Sequence, residues 1–143
     1  LFRAEYKPKP STLSQTFTSS TSALYAGLSV LETLELENHF GPEGRNMQMR
    51  HIMVDQLTRL HQQYPDWING PYGEGLMIAF TYKDGSKEAA LSLIRTLFKN
   101  GLIAFISGAN PTRIRFLLPV GSIDEETIIN GVRILRQTLE ELR

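Results

Sequence analysis

The sequence contains no cysteine, which excludes two kinds of structure. Disulfide frameworks and thiolate metal sites both need cysteine side chains. A chain without cysteine also fits a reducing compartment, and we expect a cytoplasmic protein. The three histidines, His39, His51 and His61, are twelve and ten residues apart, so no two of them fall on adjacent turns of a helix. Because a metal site needs three or four converging ligands, we expect no metal.

The sequence also lacks an excess of charge of either sign. Its 15 lysines and arginines balance its 15 aspartates and glutamates, and like charges form no block, so we expect no nucleic-acid partner. The longest apolar runs, such as LMIAF, are too short to cross a bilayer, and we expect no membrane partner. The glycine-rich stretch GPYGEG leads into a predicted strand and not into a helix, which is the wrong context for a phosphate loop. We interpret it as a turn with close backbone contact.

Residues 1–19 show no apolar periodicity. Pro8 and Pro10 disfavour helix in the residues before them, and the Ser/Thr-rich run competes for backbone hydrogen bonds. We therefore predict a linker over 1–19, arriving from elsewhere in a longer protein, and one domain over 20–143, which is long enough to bury its own core.

Periodicity predicts the order helix, helix, strand, helix, strand, strand, helix over the rest of the chain. The first helix covers about 20–38 and the second about 43–64. Each helix has a stripe of apolar residues on one face, and the stripes are Leu24, Leu28, Leu31 and Leu34 on the first helix, Met49, Met53, Leu57, Leu60 and Tyr64 on the second, Ala90, Leu93, Ile94 and Leu97 on the third, and Ile128, Val132, Leu135, Leu139 and Leu142 on the last. The first strand lies in GEGLMIAFTY, and Ser86 caps the helix that follows, which Asn100-Gly101 ends. LIAFI is a short buried strand, RIRFLL is the third strand, and a capping box from Ser122 to Glu125 opens the last helix.

These elements predict an α+β fold with a small mixed, mainly antiparallel, three-stranded sheet covered by helices on one face. The third strand should lie between the first two as an antiparallel partner. On that strand Ile114 and Phe116 face one way, while Arg113 and Arg115 face the other.

Two features could bind a ligand. The hydroxyl-rich segment Thr16 to Thr21 precedes a helix, where hydroxyls and backbone N–H groups can hold a phosphate; the alternative is a helix cap on a flexible leader. Arg115 lies near the end of its strand in RFLLP, where its planar guanidinium could bind a carboxylate through two hydrogen bonds. The alternative there is a solvated or ion-paired arginine.

Together these stretches resemble the C-terminal part of a class III (ω-amino-acid) aminotransferase, a fold-type I pyridoxal-phosphate enzyme. QTFTSSTSALYAGLSVLETLE is similar to the family's Thr-Phe-Gly-Gly-Asn-Pro segment and the helix after it, although Thr18-Ser19-Ser20-Thr21 replaces Gly-Gly-Asn-Pro. GPYGEGLMIAF is similar to its Arg-Gly-x-Gly-Leu strand. LFKNGLIAFISGANPTRIRFLLPVGSIDEETIINGVRILRQTLEEL follows its closing order of helix, strand, IRF-x-P-P strand and helix, with Leu118 in place of the first proline.

The resemblance implies the small C-terminal domain of that fold and two site residues. Thr16 would bind the phosphate of pyridoxal 5'-phosphate, reaching the neighbouring subunit's site in a homodimer. Arg115 would bind the α-carboxylate of the substrate. The Schiff-base lysine would precede residue 1, since none of Lys7, Lys9, Lys83, Lys87 and Lys99 has a matching context, so no catalytic residue is assigned.

The implied reaction of the complete protein is amino transfer between an ω-amino or other amino acid and an oxo acid such as 2-oxoglutarate. The 143-residue chain alone is expected to be inactive, because a cofactor enzyme needs protein groups that hold the ring and tune its electronics. The alternative is a free-standing, non-catalytic α+β regulatory or interaction domain.

Overall fold

The computed structural model describes Glu5, Lys9 and residues 20–143, and the chain divides into two compact units, Leu1–Glu37 and Asn38–Arg143. The first unit contains the helix α1 (Thr21–Leu36), which confirms the first predicted helix. No residue of α1 is buried, and the predicted apolar face of this helix, which includes Leu24, Leu28 and Leu31, is exposed. The predicted linker over 1–19 lies outside the described residues, apart from Glu5 and Lys9, and stays a prediction.

The second unit contains three helices and four strands. In chain order these are α2 (Arg45–Gln63), β1 (Ile68–Tyr72), β2 (Met77–Tyr82), α3 (Lys87–Lys99), β3 (Phe105–Ser107), β4 (Arg113–Leu117) and α4 (Glu125–Glu141). The strand β1 was not predicted, because its sequence INGPY contains glycine and proline, which are depleted in strands. The prediction of a three-stranded sheet is therefore wrong by one edge strand.

The sheet has the order β1-β2-β4-β3, and each neighbouring pair is antiparallel. The predicted position of the RIRFLL strand is confirmed, since β4 lies between β2 and β3. The sheet is antiparallel throughout, so the prediction of a mixed sheet is wrong. The pairing of β1 with β2 contains an irregularity between Asn69 and Tyr72.

One face of the sheet packs against the helices, as predicted. Ile78 and Phe80 of β2 and Ile114 and Phe116 of β4 belong to one core cluster with buried side chains of all three helices. The helical contributions follow the predicted stripes, and the buried ones are Met53, Leu57 and Leu60 of α2, Ala90, Leu93 and Leu97 of α3, and Ile128, Val132, Leu135 and Leu139 of α4. Burial of these apolar faces provides the main stabilisation of the unit.

The helix ends are partly as predicted. The Ser86 hydroxyl accepts a hydrogen bond from the backbone N–H of Ala89 at 3.2 Å, and Gly101 ends α3 with a φ of +90°. The capping box predicted from Ser122 is wrong. The N-cap of α4 is Asp124, whose carboxylate accepts a hydrogen bond from the Thr127 N–H at 2.8 Å.

The LIAFI segment differs from its prediction as a buried strand. Its regular part is β3, which starts at Phe105, and the side chains of Ile103 and Phe105 are exposed. Ile106 packs against the core. The physical reason is that β3 forms an edge of a sheet with only one face covered by helices, so alternate side chains remain in solvent.

Candidate functional site

The face of the sheet opposite the helices, called the open face below, carries both arginines of β4. Strand pairing and side-chain alternation assign to it Asn69, Tyr72, Met77, Ala79, Thr81, Phe105, Ser107, Arg113, Arg115 and Leu117. The predicted orientation of Arg113 and Arg115, opposite to Ile114 and Phe116, is confirmed by the burial of those two apolar residues.

Cross-strand register arranges the open face in three rows. Asn69, Thr81, Arg113 and Ser107 lie opposite one another across the four strands and form a polar row. The next row along the strands contains Tyr72, Ala79, Arg115 and Phe105. The third row contains Met77 and Leu117, which are exposed. Arg115 therefore lies between a polar row and an apolar row.

An aromatic ring lies beside each guanidinium group. The guanidinium carbon of Arg113 is 4.7 Å from the centre of the Tyr72 ring, and that of Arg115 is 6.0 Å from the centre of the Phe105 ring. The Tyr72 hydroxyl donates a hydrogen bond to Asn69 Oδ1 at 2.9 Å, which fixes the ring. Such cation–π contacts hold a guanidinium in place without neutralising its charge.

The Nε atoms of Arg113 and Arg115 are buried and have no hydrogen-bond partner. Within the second unit, all of whose residues are described, neither guanidinium forms an ion pair with a carboxylate. Buried donors in folded proteins nearly always have a partner, and leaving a charged donor without one is costly. Each guanidinium is thus without an acidic partner in the second unit, and its planar fork has the geometry that matches a carboxylate.

The structure describes only one of the two site residues that the resemblance implies. Arg115 lies on the open face, half-buried. Thr16 lies outside the described residues, so the structure does not test whether the two share a site. Sequence reasoning missed the environment of Arg113, because Tyr72 belongs to the unpredicted strand β1. The available signal was the pair of arginines two residues apart on one strand.

The turn at residues 73–76, between β1 and β2, lies at the end of this face. Arg50 of α2 donates hydrogen bonds to the carbonyl oxygens of Gly73 at 2.8 Å and Gly75 at 3.2 Å. Gly73 has a φ of +109°, and a Cβ atom there would lie 2.2 Å from the carbonyl oxygen of Met77. The interpretation of GPYGEG as a turn with close backbone contact is therefore correct for residues 73–75 and wrong for residues 70–72, which belong to β1. The turn directly follows Tyr72 and so fixes the end of β1.

A cleft whose lining includes neither Arg113 nor Arg115 lies at the end of α4. Its lining includes Tyr64, Trp67 and Glu140, and the Tyr64 hydroxyl donates a hydrogen bond to Glu140 Oε1 at 2.8 Å. Partial burial, and after it the bond to Glu140, raises the pKa of Tyr64. The hydrogen bond between Tyr64, the C-cap residue of α2, and Glu140 of α4 ties the ends of the two helices together.

Within the described part of the chain, no group of three or more histidine, aspartate and glutamate side chains could hold a metal ion. No described helix is both long enough and apolar enough to cross a membrane.

No protein-family model matches the chain. An acetylornithine aminotransferase from Synechocystis sp. is 28% identical over 138 residues, which are 94% of this chain and 30% of that protein. The mitochondrial acetylornithine aminotransferase of Yarrowia lipolytica is 28% identical over 88 residues, or 61% of this chain and 20% of that protein. The chain thus spans less than a third of the length of these relatives.

Solved structures share the fold. A lysine aminotransferase from M. tuberculosis superposes with a TM-score of 0.77 at 25% identity, covering 94% of this chain and 29% of that one. For an acetylornithine aminotransferase from Elizabethkingia anophelis the TM-score is 0.68 at 24% identity, covering 94% and 33%. The α+β fold and the resemblance of the chain to aminotransferases are therefore confirmed.

Proposed function

We propose that this chain forms the part of a class III aminotransferase that binds the substrate carboxylate, and that Arg115 is the residue that binds it. The observation that carries the proposal is a half-buried guanidinium on the open face whose Nε has no partner. It occupies the arginine position of the IRF-x-P-P motif. The similarity to two acetylornithine aminotransferases supports the same reading.

Arg115 would act by binding and orienting the substrate. Two parallel hydrogen bonds from its guanidinium to a carboxylate fix the direction in which the rest of an amino acid or oxo acid points. The exposed side chains of Met77 and Leu117 lie one row away along the strands. Once a substrate covers them they lower the local dielectric constant, which strengthens the ion pair.

Pyridoxal 5'-phosphate would supply the electron sink for amino transfer to an oxo acid such as 2-oxoglutarate. The described residues fit the substrate's carboxylate, and the proposed phosphate contact, Thr16, rests on sequence similarity alone. Because the family's matching threonine serves the neighbouring subunit, the proposal includes a homodimer, and it includes a cytoplasmic location. We expect the 143-residue chain by itself to catalyse no amino transfer.

The test replaces Arg115 by lysine in the protein that carries this chain together with a cofactor-binding lysine. Arg115→Lys exchanges a fork for a point charge and should lower kcat/KM for both amino donor and oxo acid, with cofactor affinity unchanged. Arg115→Ala should cost more, about 2–5 kcal/mol, if the carboxylate is left buried without a partner. Arg95 lies exposed on α3, and Arg95→Lys is the matched control. A loss confined to cofactor affinity would refute the assignment.

The alternative function, a non-catalytic regulatory or interaction domain, is favoured by one observation, the exposed apolar side chains of α1. The coding sequence upstream of Leu1 separates the two. A lysine-bearing cofactor domain there supports the aminotransferase, and its absence supports the interaction domain.

A further inference from the structure

We infer that Asn69 is a site of spontaneous deamidation, at which the chain itself converts an amide on the open face into a carboxylate. The sequence contains three Asn-Gly pairs, Asn69-Gly70, Asn100-Gly101 and Asn130-Gly131. Asparagine is a thermolabile residue, and a following glycine, which has no Cβ, leaves the backbone nitrogen open to the asparagine side chain. The sequence alone makes each pair a candidate, and the structure distinguishes between them.

The reaction uses the asparagine side chain, the next backbone nitrogen and water. The nitrogen of Gly70 attacks Cγ of Asn69, so that an N–Cγ bond forms and the Cγ–Nδ2 bond breaks. Nδ2 leaves as ammonia with the proton of the Gly70 N–H group, and a cyclic imide remains. Water then opens the imide at either carbonyl, which gives aspartate or isoaspartate. A nitrogen or an amide that is held in hydrogen bonds reacts only after those bonds open.

The pair at residues 100–101 is held on both sides. The amide nitrogen of Asn100 donates hydrogen bonds to Thr138 Oγ1 and Glu141 Oε2, both at 2.9 Å. The N–H group of Gly101 donates to the carbonyl oxygen of Phe98 at 3.1 Å. Both reacting groups are therefore engaged in the folded chain.

The pair at residues 130–131 lies inside α4, so the N–H group of Gly131 belongs to the helical ladder of hydrogen bonds. Its amide is polarised, since Arg133 donates to Asn130 Oδ1 at 2.7 Å and 3.1 Å. A polarised amide is not sufficient, because the attacking nitrogen is still bound in the helix. The backbone therefore protects this pair.

The pair at residues 69–70 lies where β1 leaves its ladder. The register advances by three residues on β1, from Asn69 to Tyr72, and by only two on β2. Gly70 has no partner in this register, as expected for the extra residue of a β-bulge. Strand β1 is also an edge of the sheet, and the side chain of Asn69 is exposed to water. Both reacting groups of this pair are therefore accessible.

The hydroxyl group of Tyr72 activates the Asn69 amide. It donates a hydrogen bond to Asn69 Oδ1 at 2.9 Å. This bond draws electron density away from Cγ and stabilises the negative charge that develops on Oδ1 during the attack. Asn69 thus combines a polarised amide with a backbone nitrogen outside the ladder.

The fold also requires the glycine that makes this pair reactive. Gly70 has a φ of +136°, and a Cβ atom there would lie 3.2 Å from Cα of Phe80 and 3.3 Å from the carbonyl oxygen of Ala79. A larger residue would strain the backbone at this position. The pair is therefore retained for a structural reason, although it exposes Asn69 to deamidation.

Deamidation changes the charge of the open face. Asn69 belongs to the polar row, whose other members are Thr81, Arg113 and Ser107. This row contains one arginine and no acidic residue, so aspartate or isoaspartate at position 69 supplies its first carboxylate. Isoaspartate also adds a carbon atom to the backbone of β1, which displaces the residues that follow. An ageing preparation of the chain therefore becomes heterogeneous at this face.

The test incubates the 143-residue chain in warm, mildly alkaline buffer and follows the three Asn-Gly peptides by mass spectrometry. Each deamidation raises the mass of its peptide by about 1 Da. In the folded chain the Asn69 peptide should convert about tenfold or more faster than the other two, because those two react only after hydrogen bonds open. In urea that unfolds the chain, the three rates should agree within about threefold.

Two variants test the contacts that set these rates. Tyr72→Phe keeps the ring beside Arg113 and removes the hydroxyl group, so it should slow conversion of Asn69 about threefold in the folded chain and leave the rate in urea unchanged. Thr138→Val removes one acceptor of the Asn100 amide. It should speed conversion of Asn100 about threefold and leave Asn69 unchanged.

Three results would count against the inference. Conversion of Asn100 or Asn130 as fast as that of Asn69 in the folded chain overturns it. The same preference for Asn69 in urea also overturns it, since the sequence and not the fold would then select the site. An unchanged rate in Tyr72→Phe contradicts the role given to the Tyr72 hydroxyl group.

Discussion

Replacing Arg50 by methionine tests whether the turn after β1 is held from α2. Arg50 donates to the carbonyl oxygens of Gly73 and Gly75, and its side chain is only 18% exposed. The carboxylate of Glu74 lies 4.0 Å from the Arg50 guanidinium, and its side chain is 97% exposed, so this ion pair contributes little to stability. Two hydrogen bonds from a charged donor, discounted for partial exposure, contribute about 2 kcal/mol. Methionine keeps the apolar stem, so the loss reflects the donors.

For a unit of roughly 100 residues, a loss of about 2 kcal/mol lowers Tm by about 8–16 °C. Circular dichroism during heating measures it. The matched control is Arg59→Met on the same helix, where Arg59 pairs with Asp55 at 2.9 Å and the two side chains are 69% and 54% exposed. That pair should contribute about 0–1 kcal/mol. Equal decreases of Tm in the two variants would refute the claim that the carbonyl contacts stabilise the turn.

Two further changes test backbone features. Gly73→Ala should destabilise the chain by about 1–3 kcal/mol in urea unfolding, because the φ of Gly73 is +109° and a Cβ there would strike a carbonyl oxygen of β2. The control is Gly75→Ala. A Cβ at Gly75 would have no atom within 4 Å, so this change should lower the free energy of unfolding by less. Asp124→Ala should lower stability at neutral pH and Ser122→Ala should not. Hydrogen bonds from Thr127 lower the pKa of Asp124 from its ordinary value of 3.8. The stabilisation that Asp124 provides is therefore present above pH 3.8 and is lost as the pH falls through the lower pKa of the folded state. A stability difference between Asp124→Ala and the unchanged chain that does not vary with pH would contradict this.

Local sequence patterns correctly predicted those features that a single helix or strand determines by itself. The stripes of α2 and α4 predicted which helix faces are buried, and Ser86 and Gly101 predicted the two ends of α3. The patterns failed where a contact with another part of the chain stabilises the feature. Strand β1 forms from Ile68–Tyr72 because β2 offers a ladder of hydrogen-bond partners. The N-cap of α4 shifted to Asp124 because Ser122 and Asp124 are both competent caps, and the path of the chain decides between them.

For the candidate site the sequence determined that Arg113 and Arg115 share a face opposite Ile114 and Phe116, because side chains alternate along any strand. It also supplied the motif on which the proposed role of Arg115 rests. Whether those guanidinium groups have partners was decided only by the tertiary structure. The neighbours of β4 on the open face come from β1, β2 and β3, and no periodicity within β4 specifies them. Those strands bring aromatic rings and hydroxyl groups to the arginines but no carboxylate, so no acidic side chain of the sheet pairs with either guanidinium.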